Sequence, residues 1–139
     1  LPLVCDPGTA FHYGHSTDVL GCVVEAVSGR LLPDFLRDEV FAPLGMCDTG
    51  FSVAAGAAPR LAALYRLAPP DGFVLCDDPC NSPCLAPRRH LCAGGSGLLS
   101  TLHDFTRFLL MLSNGGALDG ARLLSRKSVA FMMTNHLPP

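Results

Sequence analysis

The sequence predicts an α+β fold that is mostly helical and contains one small β-hairpin. Several stretches place apolar residues three and four positions apart, which is typical of helices that bury one face. Two short extended segments flank the turn-forming run Pro69-Pro70-Asp71-Gly72, which predicts the hairpin. The chain has 139 residues, of which 49% are hydrophobic and 16% charged, so we expect a buried core rather than disorder.

The first predicted helix runs from about residue 17 to residue 28. Ser16 or Thr17 would cap its start, and Gly29 ends it. Asp18 in the first turn suits the helix dipole. Cys22 lies on the apolar face and is interpreted as a buried thiol. The other residues of that face are Val19, Leu20, Val23, Val24 and Val27.

A second helix is predicted to begin at Pro33 and to stop before Pro43, because proline suits a first turn and interrupts a later one. Its apolar face consists of Leu32, Phe35, Leu36 and Val40. Its carboxylates are interpreted as solvated charge, and they belong to Asp34, Asp38 and Glu39. The next segment, residues 50–60, is rich in alanine and glycine and is predicted to be a loop.

Two further helices follow the hairpin. Thr101 is predicted to cap the third helix, with Asp104 three residues later in a variant of the capping box, and Gly115-Gly116 ends it. The predicted core stripe of this helix is Phe105, Phe108, Leu109 and Leu112. Ser125 is predicted to cap the last helix, which carries Val129, Met132 and Met133.

Composition argues against several classes of function. The net charge is −2 and the sequence has no basic patch, so we expect no nucleic-acid partner. Every apolar run is shorter than the roughly 18 residues that a membrane span needs, so we expect no span. The seven cysteines are an odd number without the spacing of a secreted disulfide framework. This favours a reducing compartment such as the cytoplasm, although the sequence does not fix the compartment.

Cys76, Cys80 and Cys84 recur at intervals of four residues, with His90 and Cys92 nearby. Such a cluster could bind zinc, but structural zinc sites prefer tighter Cys-x-x-Cys pairs, and none occurs here. We therefore interpret the segment as a solvated loop and expect neither a metal nor a cofactor. A cysteine-rich metal or redox module stays open as an alternative.

Tyr13 is the strongest candidate for a functional residue. A Pro7-Gly8 turn precedes it, and the start of the first helix follows it, so the loop is held at both ends. A phenol acts as a base only when a neighbouring cation or hydrogen-bond donors stabilise the phenolate. Simple packing is the alternative for Tyr13, and a structural role is the alternative for the flanking His12 and His15.

Ser96 lies in the glycine-rich run Gly94-Gly95-Ser96-Gly97. A nucleophile elbow needs glycine two residues before and two residues after its serine, but here the later position is Leu98. We therefore predict that this run allows a close backbone approach rather than supplying a nucleophile.

Three stretches together resemble the serine β-lactamase and penicillin-binding-protein superfamily, most closely its class C-like and esterase-like branch. They are residues 7–21 around Tyr13, residues 35–51 and residues 94–116. Their order and approximate spacing match the family over most of the chain. The resemblance implies a β-lactamase/DD-peptidase-like fold, of which this segment would be mostly the helical part.

The resemblance also implies a mechanism. Members of the superfamily acylate a serine in a Ser-x-x-Lys motif, and a tyrosine in a Tyr-x-Asn-like motif works with the lysine in proton transfer. Tyr13 matches that tyrosine, whereas His15 stands where penicillin-recognising members have asparagine, which favours an esterase-like role. Gly95 and Ser96 match a part that lines the substrate cleft in relatives.

Two motifs of the family are missing. The only lysine is Lys127, and Leu124 rather than serine stands three residues before it. The third motif, Lys/His-x-Gly, has no match after the last helix. We therefore expect residues 1–139 to be a partial domain, an internal fragment of a serine hydrolase. The intact parent would cleave a small ester or amide, and the fragment alone would be inactive. A non-catalytic relative that binds a ligand or partner is the alternative.

Overall fold

A computed structural model describes residues 2–70, 72–86 and 94–137 of the chain. This part contains four α-helices and two antiparallel hairpins, joined by loops and shorter helical turns. This confirms the predicted α+β class. No helix in these ranges is both long and apolar enough to cross a membrane.

Helix α1 spans Ser16–Ser28 and ends as predicted at Gly29, which adopts a left-handed conformation with φ 67° and donates its N–H to the Glu25 carbonyl. The predicted cap is wrong. The N-cap residue is His15, and no side chain caps the helix, because Ser16 is already its first residue.

The apolar face of α1 is largely exposed. Val27 is 83% exposed, and Cys22 is exposed, so the prediction of a buried thiol is wrong. Only Gly21 is buried on this helix, where α1 approaches Leu32 and Gly94. Helical spacing correctly groups the apolar residues on a face, but nothing in the described part of the chain covers most of that face.

Helix α2 spans Leu32–Leu36 and continues as a π-helical segment over Arg37–Phe41. Proline occupies its first turn as predicted. The three carboxylates on its outer surface are partly exposed and pair with two arginines, Arg30 and Arg37.

The hydrophobic core lies between the end of this helical segment and helix α3, which spans Leu102–Ser113. Its buried residues are Phe41, Leu44, Met46 and Met111, and partly buried side chains surround them. The predicted stripe of α3 is half right. Phe108 and Leu112 pack against the core, whereas Phe105 and Leu109 are about half exposed and Met111 is buried instead.

The buried face of α3 also carries a carboxylate, that of Asp104. Asp104 is 2% exposed and accepts hydrogen bonds from the Asp48 N–H (2.8 Å) and the Thr49 hydroxyl (2.9 Å). Thr101 caps the helix as predicted, accepting from the Asp104 N–H at 3.2 Å. The Asp104 carboxylate therefore fastens residues 48–49 to α3 instead of completing a capping box.

The predicted hairpin consists of β1, Leu64–Leu67, and β2, Phe73–Asp77, which pair antiparallel. Its turn closes where the Ala68 N–H donates to the Gly72 carbonyl at 2.8 Å. The segment predicted as loop contains a 3-10 helix over Ala55–Arg60, and a second 3-10 helix covers Pro83–Leu85.

A second, very short hairpin was not predicted. Strands β3, Ala117–Leu118, and β4, Ala121–Arg122, pair around an Asp119-Gly120 turn. Helix α4 then spans Arg126–Met132. Ser125 caps it as predicted, because the Ser125 side chain accepts a hydrogen bond from the Ser128 N–H. Val129 is buried on this helix, whereas Met132 and Met133 are exposed.

Leu44 provides a direct test of the core. It is fully buried among Phe41, Met46 and Met111, so Leu44→Ala is expected to lower the free energy of unfolding by about 2–5 kcal/mol. The matched control is Leu102→Ala, because Leu102 is 85% exposed and the same substitution there should change stability by less than about 0.5 kcal/mol. Urea titration followed by circular dichroism measures both, and equal effects would contradict this core.

Candidate active site

The loop that carries Tyr13 begins at a closed turn. The Thr9 N–H and hydroxyl both donate to the Asp6 carbonyl, at 3.2 and 2.7 Å, across the Pro7-Gly8 turn. From there the chain runs without helix or strand to His15, where α1 begins. Tyr13 is 94% exposed, so its phenol is open to solvent rather than packed in the core.

This loop forms one wall of an open groove of about 550 Å³. The opposite wall comes from Gly95 and Ser96, a segment 77 residues from Asp18 along the chain. The groove therefore brings together all four site residues proposed from the sequence: Tyr13, His15, Gly95 and Ser96. Its other lining residues are Phe11, His12, Gly14, Ser16, Thr17 and Asp18.

Asp18 connects the two walls. Its Oδ1 accepts a hydrogen bond from the Gly95 N–H at 2.8 Å, and its Oδ2 lies 3.1 Å from Nδ1 of His15. The bond from the Gly95 N–H, and then the contact with His15, lower the pKa of Asp18 below its ordinary value. The sequence indicated only a helix-dipole role for Asp18, since its bond to Gly95 is too remote along the chain to be read locally.

Close backbone packing holds the same two walls together. A Cβ atom on Gly94 would lie 2.1 Å from the Thr17 carbonyl oxygen, and one on Gly95 would lie 2.6 Å from Thr17 Oγ1. A Cβ on Gly21 would lie 3.2 Å from the Gly94 nitrogen. The predicted close approach of the glycine-rich run is therefore present, and its partner is the first turn and a half of α1.

Ser96 is exposed in the groove. Within residues 2–70, 72–86 and 94–137, no imidazole or lysine amine forms a hydrogen bond with its hydroxyl. Lys127 lies on α4 and does not line the groove. Among the described residues, Ser96 therefore has no partner that could act as the activating base of a serine nucleophile.

A second cavity, of about 450 Å³, adjoins the groove, since both are lined by Thr17, Gly95 and Ser96. The remaining lining residues are Leu20, Gly21, Val24, Leu32, Leu36, Phe51, Gly94, Gly97 and Leu98. The groove around Tyr13 thus adjoins a pocket whose side chains are mostly aliphatic.

The cysteine segment shows no metal site in the part of the chain that can be described. Cys76 and Cys80 are exposed, Cys84 is half-buried, and all three are free thiols. No group of three or more metal-ligating side chains is found among the described residues. His90 and Cys92, which the sequence placed near this cluster, lie outside them.

Comparison with known proteins identifies the family. A family model described as beta-lactamase matches residues 1–138. An uncharacterised protein of Mycobacterium tuberculosis is 42% identical over 137 residues, which is 99% of this chain and 33% of that protein. Lovastatin esterase of Penicillium rubens is 35% identical over 140 residues, covering 99% of this chain and 34% of the esterase.

The fold agrees with this result. Unliganded simvastatin synthase from Aspergillus terreus superposes with a TM-score of 0.81 at 27% identity, covering 100% of this chain and 32% of the synthase. The chain spans about a third of the length of the curated relatives it matches.

The glycine contact can be tested by adding one methyl group. Gly94→Ala should force the two walls of the groove apart, because its Cβ would overlap the Thr17 carbonyl. We expect this overlap to lower the free energy of unfolding by about 1–3 kcal/mol. In 1H–15N spectra we expect large shifts at Thr17, Asp18 and Gly95. Gly56→Ala is the control, since that Cβ would meet nothing within 4 Å, and its spectrum should change only locally.

The Asp18 contact should depend on pH. The pKa of Asp18 is lowered in the folded chain. Its bonds therefore stabilise the fold fully above the ordinary aspartate pKa of about 3.9 and are lost as the pH falls through the lower, folded value. The Gly95 amide resonance should accordingly titrate below about pH 3.9 and should not titrate in Asp18→Asn. A midpoint at or above the ordinary value would contradict the contact.

Proposed function

Since the chain belongs to the beta-lactamase family, we propose that it forms the tyrosine-bearing part of a serine-hydrolase active site. The substrate is a small ester or amide, which is cleaved through an acyl-enzyme. The nucleophilic serine and its lysine come from a segment that is not among these 139 residues.

The observation that carries this proposal is the position of Tyr13. Its phenol is almost fully exposed in a groove whose opposite wall is Gly95-Ser96. Within the described residues the Tyr13 side chain is not packed in the core, and a groove with a phenol and two imidazoles is suited to proton transfer. This arrangement supports a catalytic role for Tyr13 and a cleft-lining role for His15, Gly95 and Ser96.

The proposed reaction has two steps. The serine oxygen attacks the substrate carbonyl carbon while Tyr13, as phenolate stabilised by the lysine ammonium, takes the serine proton and passes it to the leaving alcohol or amine. Water then attacks the acyl-enzyme, the bond to the serine oxygen breaks, and the acid is released with the serine hydroxyl restored.

Three observations favour an ester over a β-lactam. His15 occupies the position where the resemblance leads us to expect asparagine in penicillin-recognising members. The aliphatic cavity next to the groove offers space for an apolar group of the substrate, and one of the similar proteins is named as an esterase.

The second candidate is a non-catalytic relative that binds a ligand or partner. A parent protein that has no Ser-x-x-Lys motif outside these 139 residues would favour it. The two candidates differ in one respect that can be measured: only the hydrolase requires the Tyr13 hydroxyl for bond cleavage.

A chimera tests this requirement. Residues 1–138 replace the matching segment of the Penicillium rubens lovastatin esterase, so that the remaining two thirds of the esterase are retained. We expect ester hydrolysis by the chimera, and Tyr13→Phe should reduce kcat about 10²- to 10⁴-fold, because a general acid–base group is lost.

The matched control is Tyr65→Phe, which removes the other tyrosine hydroxyl of the chain, on β1, and should leave kcat unchanged. The 139-residue chain alone should form no covalent adduct with a fluorophosphonate. A stoichiometric adduct on that chain, or full activity of the Tyr13→Phe chimera, would overturn the proposal.

A further inference from the structure

The His15 imidazole is held at one nitrogen only. Its Nδ1 lies 3.1 Å from Asp18 Oδ2, and its side chain is 92% exposed on the groove that also contains Tyr13. His12 lines the same groove, but no hydrogen bond joins its ring to any residue in the described ranges. The two histidines that flank Tyr13 are therefore not equivalent.

Hydrogen-bond chemistry assigns the proton of the neutral His15 ring. An ionised carboxylate can only accept hydrogen bonds, so the nitrogen facing Asp18 must carry the hydrogen. A neutral imidazole has a single N–H, which leaves Nε2 with a free lone pair.

The orientation of the carboxylate is itself fixed. Asp18 Oδ1 accepts a hydrogen bond from the Gly95 N–H at 2.8 Å, and Gly95 lies close against Thr17. The remaining oxygen is thereby directed at His15. Asp18 thus contacts His15 through Oδ2, while its Oδ1 positions the opposite wall through the Gly95 N–H.

We propose that Asp18 is a positioning residue which holds neutral His15 as the Nδ1–H tautomer and makes Nε2 a second proton-accepting atom in the groove. The use of this atom rests on the proposed function. In the second step of that reaction, Nε2 takes a proton from the attacking water as its oxygen bonds to the acyl carbon. Nε2 then returns the proton to the departing serine oxygen, so the ring ends unchanged.

The tautomer is measured directly on the 139-residue chain by long-range 1H–15N correlation of the imidazole rings, at a pH of about 8.5 where an ordinary imidazole is neutral. We expect Nδ1–H for His15. His15→Gln and His12→Gln identify the two sets of signals.

Asp18→Asn is the sharpest variant because it preserves shape but removes one acceptor. The single amide oxygen can serve the Gly95 N–H, which turns the amide NH2 towards His15 and makes Nδ1 an acceptor. His15 should therefore switch to Nε2–H, whereas a residue with a purely structural role would leave the tautomer unchanged. An Nε2–H form in the wild type, or no switch in Asp18→Asn, would overturn the proposal.

A second measurement reports the reactivity of the free nitrogen. Diethyl pyrocarbonate transfers its ethoxycarbonyl group to an unprotonated imidazole nitrogen, and mass spectrometry follows the modification of His15 and His12 separately. Asp18→Asn should slow the reaction of His15 roughly two- to fivefold, since it removes the lone pair from Nε2, and should leave His12 unchanged. Equal rates at His15 would count against the proposal.

Neither measurement uses ester hydrolysis. A failed chimera would therefore refute the proposed function while leaving the Asp18–His15 tautomer intact. A failed tautomer switch would refute the role of Asp18 while leaving Tyr13 as the proposed catalytic residue.

Discussion

The groove depends on one contact, the approach of Gly94-Gly95 to the start of α1. Two different forces hold it. Close packing requires that neither residue carries a Cβ, because Thr17 already occupies that space. A charge-assisted hydrogen bond from the Gly95 N–H to Asp18 then fixes the register of the two segments. Without this contact, Tyr13 and Ser96 would not share a groove, and the aliphatic cavity beside it would have no common wall.

A second carboxylate plays a comparable part at the other end of the glycine-rich segment. Asp104 is buried and binds residues 48–49, while the next residue, Gly50, pairs with Leu99 through two backbone hydrogen bonds of 3.0 and 2.8 Å. The segment from Gly94 to Leu99 is thus anchored near both ends by aspartates on helices. The residues of the apolar core, around Leu44 and Met111, do not include this segment.

The sequence predicted the features that depend on neighbouring residues. The glycine end of α1, the caps at Thr101 and Ser125, and the first hairpin each follow from a few consecutive residues. Tyr13 and the glycine-rich run were likewise recognisable as motifs, and the groove brings them together. The family assignment rested on these same local patterns and is confirmed.

What the sequence could not predict depends on distant partners. Periodicity identified the apolar face of α1 but not what covers it, so Cys22 was wrongly expected to be buried. Asp18 and Asp104 bond to residues 77 and 56 positions away, and neither spacing leaves a local signal. The Asp119-Gly120 hairpin did carry a turn signal, but strands of two residues are too short to show alternation.

The most direct test of this account is the nuclear Overhauser contact between the α-protons of Gly21 and Gly94. A Cβ built on Gly21 would lie 3.4 Å from the Gly94 Cα, so these backbones must nearly touch if the two walls meet as described. The account predicts a strong cross-peak between them, together with one linking Gly95 to Asp18. If both cross-peaks are absent from a folded chain whose other contacts are present, the groove does not exist, and the role assigned to Tyr13 loses its structural basis.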